Sequence, residues 1–187
     1  VCVASIRTGV SCLVLQNRVD CPRWKPGRRH GRRIDVYDCD GTSYDGDSTV
    51  DCTRFCLRRH PGVLAGLPKF LGTSLLLAAG RRSLTQFKSV LFGEMARRFN
   101  LETEAELFWQ AEATRAKLGK WFFDRPRDLP IVIASASPEF ELPYAAKLLG
   151  VPTLIGTKHD VKTGAPIGKH CKGDEKLTRI EPNNRTF

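Results

Sequence analysis

The sequence predicts an α/β fold in which a parallel, doubly wound (Rossmann-like) sheet carries an all-helical segment inserted after its first core strand. Short strands are predicted at 34–37, where apolar residues alternate, at 131–134 and at 151–155. The run at 131–134 is continuously apolar, as expected for a strand buried in a parallel sheet. Helical patterns separate these runs, and strands that alternate with helices are typical of parallel sheets. A chain of 187 residues suits one domain, or one domain with an insertion.

Two carboxylates follow the first predicted strand. The run that begins at Ile34 leads into Asp38 and Asp40, and then into Gly41 and Thr42, which mark a tight turn. Because open α/β sheets bind their ligands at the carboxyl ends of strands, both carboxylates are candidates for one site. The alternative is an acidic turn that does no more than solvate the end of the strand.

The residues at 48–128 are predicted to be helical and to form a cap. Ser48 followed by Asp51 resembles a capping box, which predicts a helix over 49–59. Apolar residues at helical spacing predict three more helices, over 63–79, 83–99 and 102–118. An insertion directly after the acidic turn would lie over it.

The second half of the chain is predicted to complete the core. After the apolar run at 131–134, which ends at Ser135, Pro138 is expected to open a helix that closes at Gly150, since proline suits the first turn of a helix and glycine its end. The remaining predicted elements are a strand, a hairpin and a final helix, over 151–155, over 157–167 and from Cys171 onwards. The predicted core therefore comprises 34–47 and 129–187.

Residues 1–33 form a basic head without helical or strand periodicity. Up to residue 34 the chain carries eight basic residues and one acidic residue, so this part holds +7 of the total net charge of +10. The head is a disordered tail, sequence upstream of the true start of the protein, or a targeting or nucleic-acid-binding arm, and we favour the first two interpretations. Because the rest of the chain carries only +3, composition does not favour nucleic acid as a partner of the core.

The seven cysteines form no Cys-x-x-Cys pair and show no zinc-site spacing. An odd number of cysteines, with no recognisable secretory segment, favours reduced thiols and a cytoplasmic location. No run of 18 apolar residues occurs, so no transmembrane helix is predicted.

Three motifs resemble those of the haloacid dehalogenase-like (HAD) superfamily of phosphotransferases. They are Asp38-Cys-Asp-Gly-Thr42, the strand that ends at Ser135, and Cys171-Lys172-Gly-Asp-Glu-Lys176. Two further features are similar to the phosphoserine-phosphatase-like branch. They are the position of the helical insertion and the segments Gly46-Asp-Ser48 and Gly168-Lys-His-Cys-Lys-Gly173. The resemblance covers about 34–181 and implies a Mg²⁺-dependent phosphomonoester hydrolase that acts on a small phosphorylated metabolite.

The resemblance implies a catalytic role for each of the two acids. Asp38 would attack phosphorus and form an aspartyl phosphate, and Asp40 would act first as general acid and then as general base. Phosphoryl transfer depends mostly on positioning and on charge stabilisation. Two neighbouring carboxylates repel an anionic substrate, so a cation is needed. Mg²⁺ would be held by Asp38 and by the backbone carbonyl of Asp40.

The resemblance also implies a set of binding residues. Thr42, Ser135 and Lys172 would bind the phosphoryl group, and Lys172 would in addition hold Asp38 in place. Asp47 lies where phosphoserine phosphatases have an acid that meets the amino group of the substrate. Two alternatives stay open. Lys172 could be a surface lysine exposed to solvent, and Asp47 could be an acid that is stabilised by the dipole at a helix N-terminus.

The fourth motif of the family, a strand followed by an acid pair, has no counterpart between Lys172 and Phe187. We therefore expect a chain truncated before this motif, with an incomplete Mg²⁺ shell and impaired catalysis. Without that strand, the strand at 34–37 becomes an open sheet edge, and within the head the segment at 12–16 is the best candidate to cover it.

Two other functions stay open from the sequence. The chain could be a non-catalytic binding module with a basic nucleic-acid-binding head. It could also be a phosphotransferase that passes the phosphoryl group to an alcohol instead of water. The sequence does not indicate the oligomeric state or which metabolite is the substrate.

Overall fold

The computed structural model describes residues 2–6, 14–15, 34–81, 84–124 and 130–183. Most of the basic head at 1–33 lies outside these residues. The predictions that the head is disordered, or that it lies upstream of the true start, therefore concern residues outside the described ones. The two described pieces of the head are both strands.

The core is a five-stranded sheet whose central part is parallel. The strands are β1 (Cys2–Ile6), β2 (Val14–Leu15), β3 (Ile34–Tyr37), β4 (Ile131–Pro138) and β5 (Thr153–Thr157). They are arranged in the order β2-β1-β3-β4-β5, with β3, β4 and β5 parallel to one another. The predicted parallel α/β sheet is therefore confirmed.

The outer edge of β3 is covered by β1 and not by the segment at 12–16. Ile6 pairs with Ile34 and Val3 with Tyr37, so β1 runs antiparallel along the whole of β3. The two-residue strand β2 lies one position farther out, against β1. Five consecutive residues can pair with the full length of β3, whereas β2 is too short to do so. The pairing leaves no open edge at β3.

Helices account for most of the remaining described residues. They are α1 (Ser48–Arg59), α2 (Leu67–Ala78), α3 (Leu84–Ala96), α4 (Leu101–Gln110), α5 (Glu112–Arg115), α6 (Lys120–Asp124), α7 (Leu142–Leu149) and α8 (Asp174–Asn183), with a 3₁₀ turn at Pro61–Gly66. The first six lie between β3 and β4, which confirms the helical insertion. Its exact extent at 48–128, as a cap separate from the core, stays a prediction. None of the described helices has the length and apolar composition needed to span a bilayer.

The start of α1 differs from the predicted capping box. Asp47 is the N-cap, and its Oδ1 accepts a hydrogen bond from the Val50 N–H at 2.9 Å. The N–H of Ser48, one of the first donors of the helix, is taken by the carboxylate of Asp40. The predicted helix at 102–118 is also broken, because Ala111 has an extended backbone (φ −63°, ψ 134°) between α4 and α5.

The strand β4 is longer than predicted, and the helix after it begins later. Pro138 lies at the end of β4, where it pairs with Thr157 after a shift in register. Proline lacks an N–H, but at the end of a strand it removes no hydrogen bond from the middle of the sheet. Proline is therefore tolerated at a strand end as well as at a helix start. The helix α7 begins instead at Leu142, and it ends at Gly150 (φ +64°) as predicted.

Side chains on both faces of β3 and β4 are buried. Tyr37, Ile131 and Ile133 point to the side of the sheet that packs against the inserted helices and α7. Four strand residues point to the opposite face: Val36, Val132, Ala134 and Ile155. They form a smaller cluster there with Cys171 and with Ile180 of α8. This alternation follows from the two-residue period of strands, and it explains why the first half of β4, at 131–134, is continuously apolar.

A buried acid on α3 anchors the helical insertion. Glu94 is 3% exposed, and its carboxylate contacts Lys69 (3.0 Å), Arg98 (2.8 Å) and Arg97. Hydrogen bonds from Arg98 and then Lys69 lower the pKa of Glu94 from 4.5 to about 2. A group with a lowered folded-state pKa stabilises the protein above its unfolded-state pKa, and this contribution is lost as the pH falls through the folded-state value.

We predict that Glu94→Gln lowers the free energy of unfolding by about 1–3 kcal/mol at pH 7, because a buried charged hydrogen-bond acceptor is lost. The difference from the original protein should shrink as the pH falls from 4.5 towards 2. Urea unfolding across this pH range measures it. Glu112→Gln, at an exposed position on α5, is the control and should change stability by less than about 0.5 kcal/mol. Equal effects of the two substitutions, or a pH-independent difference, would contradict the assignment.

Candidate active site

The register between β3 and β4 brings two polar chain segments together. Val36 pairs with Val132 and Tyr37 with Ile133, so the two parallel strands lead to the same edge of the sheet. The carboxylates that follow β3 therefore lie beside the serines of β4. This is the edge at which open α/β sheets bind ligands.

The loop after β3 is closed by its own backbone. The N–H of Gly41 donates to the Gly46 carbonyl at 3.0 Å, and the N–H of Tyr44 donates to the Cys39 carbonyl at 2.9 Å. Gly41 has φ +65°, a left-handed conformation that glycine adopts without strain. The hydroxyl of Ser43 donates to the backbone carbonyl of Asp38 at 2.8 Å. The orientation of the acidic segment is thus determined locally.

The far end of the helical insertion braces the same loop. The N–H of Asp45 donates to the Lys117 carbonyl at 2.8 Å, and the N–H of Gly119 donates to the Ser43 carbonyl at 2.9 Å. Tyr44, which is 1% exposed, packs against the ring of Trp109 with centroids 5.3 Å apart. The insertion therefore leaves the loop at α1 and returns to it after α5, which restricts the movement of both carboxylates.

Asp38 is held by two donors. Its Oδ1 accepts the Cys39 N–H at 2.9 Å, and its Oδ2 accepts the Lys176 Nζ at 2.6 Å. The Asp38 side chain is 31% exposed and that of Lys176 is 14% exposed, so the pair is partly shielded yet open on one side. Such a carboxylate is oriented and still accessible to a ligand.

The lysine at Asp38 is Lys176, whereas the sequence had assigned this contact to Lys172. In the structure Lys172 is exposed and precedes Gly173, which turns the chain with φ +59°. Lys176 lies in the first turn of α8, beyond that turn. The acids Asp174 and Glu175 are the sequence signal that predicts a helix start here, and they place Lys176 on a rigid element.

Asp40 is turned towards β4 and the start of α1. Its Oδ1 accepts the Ser48 N–H at 2.7 Å, and its Oδ2 accepts the Ser137 hydroxyl at 2.6 Å. The predicted Ser135 also reaches Oδ2, at the longer distance of 3.5 Å. A carboxylate at the first N–H groups of a helix is favoured by the helix dipole. Ser137 was missed by the sequence reasoning, although the two-residue period of a strand puts it on the same face as Ser135.

The two remaining predicted residues lie in or beside the loop. Thr42 is 8% exposed, and its N–H donates to the Cys39 carbonyl at 3.3 Å. Asp47 is exposed, and it caps α1 by accepting the Val50 N–H. This is the geometry expected if Asp47 serves the N-terminus of the helix. Binding of phosphate by Thr42, Ser135 and Lys172, and of substrate by Asp47, stays a prediction.

Cys39 lies between the two acids in sequence, and it does not add a reactive thiolate. Burial first, and then the charge of Asp40, raise the pKa of the Cys39 thiol well above its ordinary value. Four cysteines of the core and the inserted helices are buried and free of disulfides: Cys39, Cys52, Cys56 and Cys171. A neutral buried thiol is neither a nucleophile nor a metal ligand at neutral pH.

The donors that could hold a cation are oxygens. Among the described residues, no group of three or more histidine, cysteine, aspartate or glutamate side chains is arranged around a metal position. The Asp38 carboxylate and the Asp40 backbone carbonyl are hard oxygen donors, of the kind that Mg²⁺ prefers. Mg²⁺ often binds through one or two carboxylates and completes its shell with water and substrate phosphate. The residues present therefore fit Mg²⁺ better than a softer metal.

Two solved structures have a similar fold. A protein of unknown function from Bordetella pertussis Tohama I matches with a TM-score of 0.60 and 18% identity, over 78% of this chain and 70% of that one. The unliganded probable phosphoserine phosphatase from Vibrio cholerae matches with a TM-score of 0.53 and 12% identity, over 82% of this chain and 46% of that one. The chain thus spans less than half of the Vibrio protein, and at these identities the likeness shows the fold alone. No curated protein matches the chain.

A family model matches most of the chain directly. The model of the haloacid dehalogenase-like hydrolases covers residues 36–185, from within β3 to beyond the end of α8. This span includes Asp38, Asp40 and Lys176, which the fold brings to one edge of the sheet. The chain therefore belongs to the haloacid dehalogenase-like hydrolase family, as its three motifs predicted.

Proposed function

We propose that the protein is a Mg²⁺-dependent phosphomonoester hydrolase that acts through an aspartyl phosphate on Asp38. The observation that supports this most is the 2.6 Å contact between Lys176 Nζ and Asp38 Oδ2 at the end of β3, beside Asp40. A paired, partly exposed carboxylate suits a nucleophile because it is oriented and accessible to a ligand. Membership of the hydrolase family and the fold shared with a probable phosphoserine phosphatase support the same function.

The reaction takes place in two steps. In the first, an Asp38 oxygen forms a bond to phosphorus while the bond from phosphorus to the ester oxygen breaks, and Asp40 gives that oxygen a proton. In the second, Asp40 takes a proton from a water molecule, which attacks phosphorus and releases Asp38 and phosphate. The Cys39 N–H and Lys176 keep the Asp38 carboxylate oriented towards phosphorus. Lys176 also balances negative charge on the transferred phosphoryl group.

Mg²⁺ would be held by the Asp38 carboxylate and the Asp40 backbone carbonyl. When bound, it supplies the charge neutralisation that lets an anionic ester approach two carboxylates. The hydroxyl of Ser135, the hydroxyl of Thr42 and the ammonium of Lys172 are proposed to contact the phosphoryl oxygens.

The proposed substrate is a small phosphorylated metabolite, and Asp47 is proposed to meet a positively charged group of that substrate. Asp47 can do so while it caps α1, because the Val50 N–H is bonded to its Oδ1 and the side chain is exposed to solvent. We also propose a cytoplasmic location, because an odd number of cysteines favours reduced thiols.

We predict that Asp38→Asn lowers turnover of p-nitrophenyl phosphate with Mg²⁺ by at least about 10³-fold, because losses of this size or larger follow removal of a nucleophile. The matched control is Asp45→Asn in the same loop. Its side chain is exposed and its backbone N–H stays bonded to Lys117, so activity should change little. Undiminished activity of Asp38→Asn would rule out the proposed nucleophile.

We predict that Lys176→Met lowers kcat by about 10²–10³-fold, the usual cost of a lost charge-stabilising donor at a reacting group. Lys172→Met, four residues earlier and exposed, removes a proposed contact to the phosphoryl oxygens but none to Asp38, so it should raise KM and lower kcat much less than Lys176→Met does. Parallel steady-state kinetics on the two variants compare the lysines directly. A larger loss of kcat in Lys172→Met than in Lys176→Met would show that Lys172, the lysine chosen from the sequence, stabilises the charge at the reacting group.

A further inference from the structure

A cavity of about 290 Å³ lies between α1 and the chain that passes from α4 into α5. This volume is at the lower end of the ~300–1,000 Å³ that small-molecule sites occupy. Asp38, Asp40 and Lys176 are not among the described residues that line it, so the cavity is separate from the candidate active site. We call it the α1–α5 groove and define it by six of its lining residues: Arg54, Phe55, Arg58, Phe108, Ala113 and Lys117.

The floor of the α1–α5 groove is apolar. Phe108 is 3% exposed, and its ring lies edge-on to that of Phe55 with the centroids 5.8 Å apart. Opposite these rings the chain leaves α4 at Ala111, whose backbone is extended, and Ala113 follows on α5. Because the alanine side chains are small, they leave the space beside the two rings unfilled. A flat apolar group can pack there, in the offset or edge-on geometry that aromatic rings prefer.

The rim of the groove is positively charged. Arg54 and Arg58 are four residues apart on α1, so they lie on the same face of the helix. Lys117 lies on the opposite wall, where its side chain is 45% exposed. Asp51 is the only acid among the described lining residues, against these three cations. The lining therefore has an excess of positive charge.

The single acid of the groove already has its partners. The Asp51 carboxylate accepts from Lys117 Nζ at 2.6 Å, from the Tyr44 hydroxyl at 2.9 Å and from Arg54 at 3.3 Å. Arg58 has no ion-pair partner in the part of the chain that the structure describes, and its side chain is exposed. A guanidinium presents a fork of N–H donors that matches a carboxylate or a phosphate. The unpaired charge at the rim thus suits an anion.

We propose that the α1–α5 groove is a second binding site of the protein, which takes a small organic anion: a carboxylate or phosphate group joined to a flat apolar body. The anionic group would lie between Arg58, Arg54 and Lys117, and the apolar body would lie on Phe55 and Phe108. An inorganic anion would leave the aromatic floor uncovered, and a neutral aromatic molecule would leave the charge of the rim unbalanced.

A ligand in the groove would contact the segment that braces the loop after β3. The backbone carbonyl of Lys117 accepts the Asp45 N–H at 2.8 Å, while its ammonium lies over the ring of Tyr44 at 5.6 Å. Because this segment is part of the folded state, a ligand that binds there stabilises the protein by mass action. The thermal midpoint should therefore rise with ligand concentration.

Calorimetric titration of the full chain without Mg²⁺ tests the proposal, with 2-naphthoate and 2-naphthylphosphonate as the anionic probes. We expect at least one of them to bind about fivefold or more tightly than the neutral 2-naphthamide, and to weaken as salt is added. The tighter of the two identifies the anionic group. Acetate and inorganic phosphate, which lack the apolar body, should bind more weakly than either probe. Equal affinity for the charged and the neutral probes would overturn the proposal.

Three variants locate the bound probe. Arg58→Gln should weaken binding of the better anionic probe about threefold to fivefold and leave that of 2-naphthamide unchanged. Ala113→Leu, which extends a side chain into the groove and keeps a good helix former, should weaken all three naphthyl probes. Arg115→Gln is the control, since Arg115 is exposed on α5 outside the groove lining. Full affinity in Ala113→Leu, or equal effects of Arg58→Gln and Arg115→Gln, would show that the probe binds elsewhere and would overturn the assignment.

Discussion

The parallel pairing of β3 with β4 is the constraint on which the rest of the structure depends. Because Tyr37 lies opposite Ile133, the residues that follow β3 face the serines at the end of β4. A shift of one residue would turn Ser135 and Ser137 to the other face of the sheet and remove the two hydroxyl donors of Asp40. The buried faces of both strands make such a shift costly, so packing of the core determines the geometry of the site.

The two carboxylates are then held by groups from distant parts of the chain. Asp38 is paired with Lys176 on α8, and Asp40 is bonded to α1 through Ser48 and to β4 through Ser137. Charged groups near a protein interior need such partners, because desolvation without them is costly. The helical insertion adds a further restraint where its return segment bonds to Ser43. Orientation of the acids and stability of the fold therefore depend on the same contacts.

Sequence reasoning found what local patterns encode and missed what depends on tertiary contacts. Asp38 and Asp40 were recognisable because a strand and a glycine turn flank them. The choice between Lys172 and Lys176 depended on where α8 begins relative to the turn at Gly173, which a lysine-rich motif does not reveal. Pro138 was assigned to a helix because proline suits both a helix start and a strand end, and pairing with β5 decides between them.

The central claim, that Asp38 is the residue that becomes phosphorylated, is tested most directly by trapping the phosphoenzyme. The chain is mixed with Mg²⁺ and a phosphate ester, quenched in acid, reduced with borohydride and mapped by peptide mass spectrometry. The structure predicts that only Asp38 is modified, since it is the partly exposed carboxylate paired with Lys176 at the end of β3. Modification of Asp40 or of another acid, or turnover with no modified residue, would contradict the account.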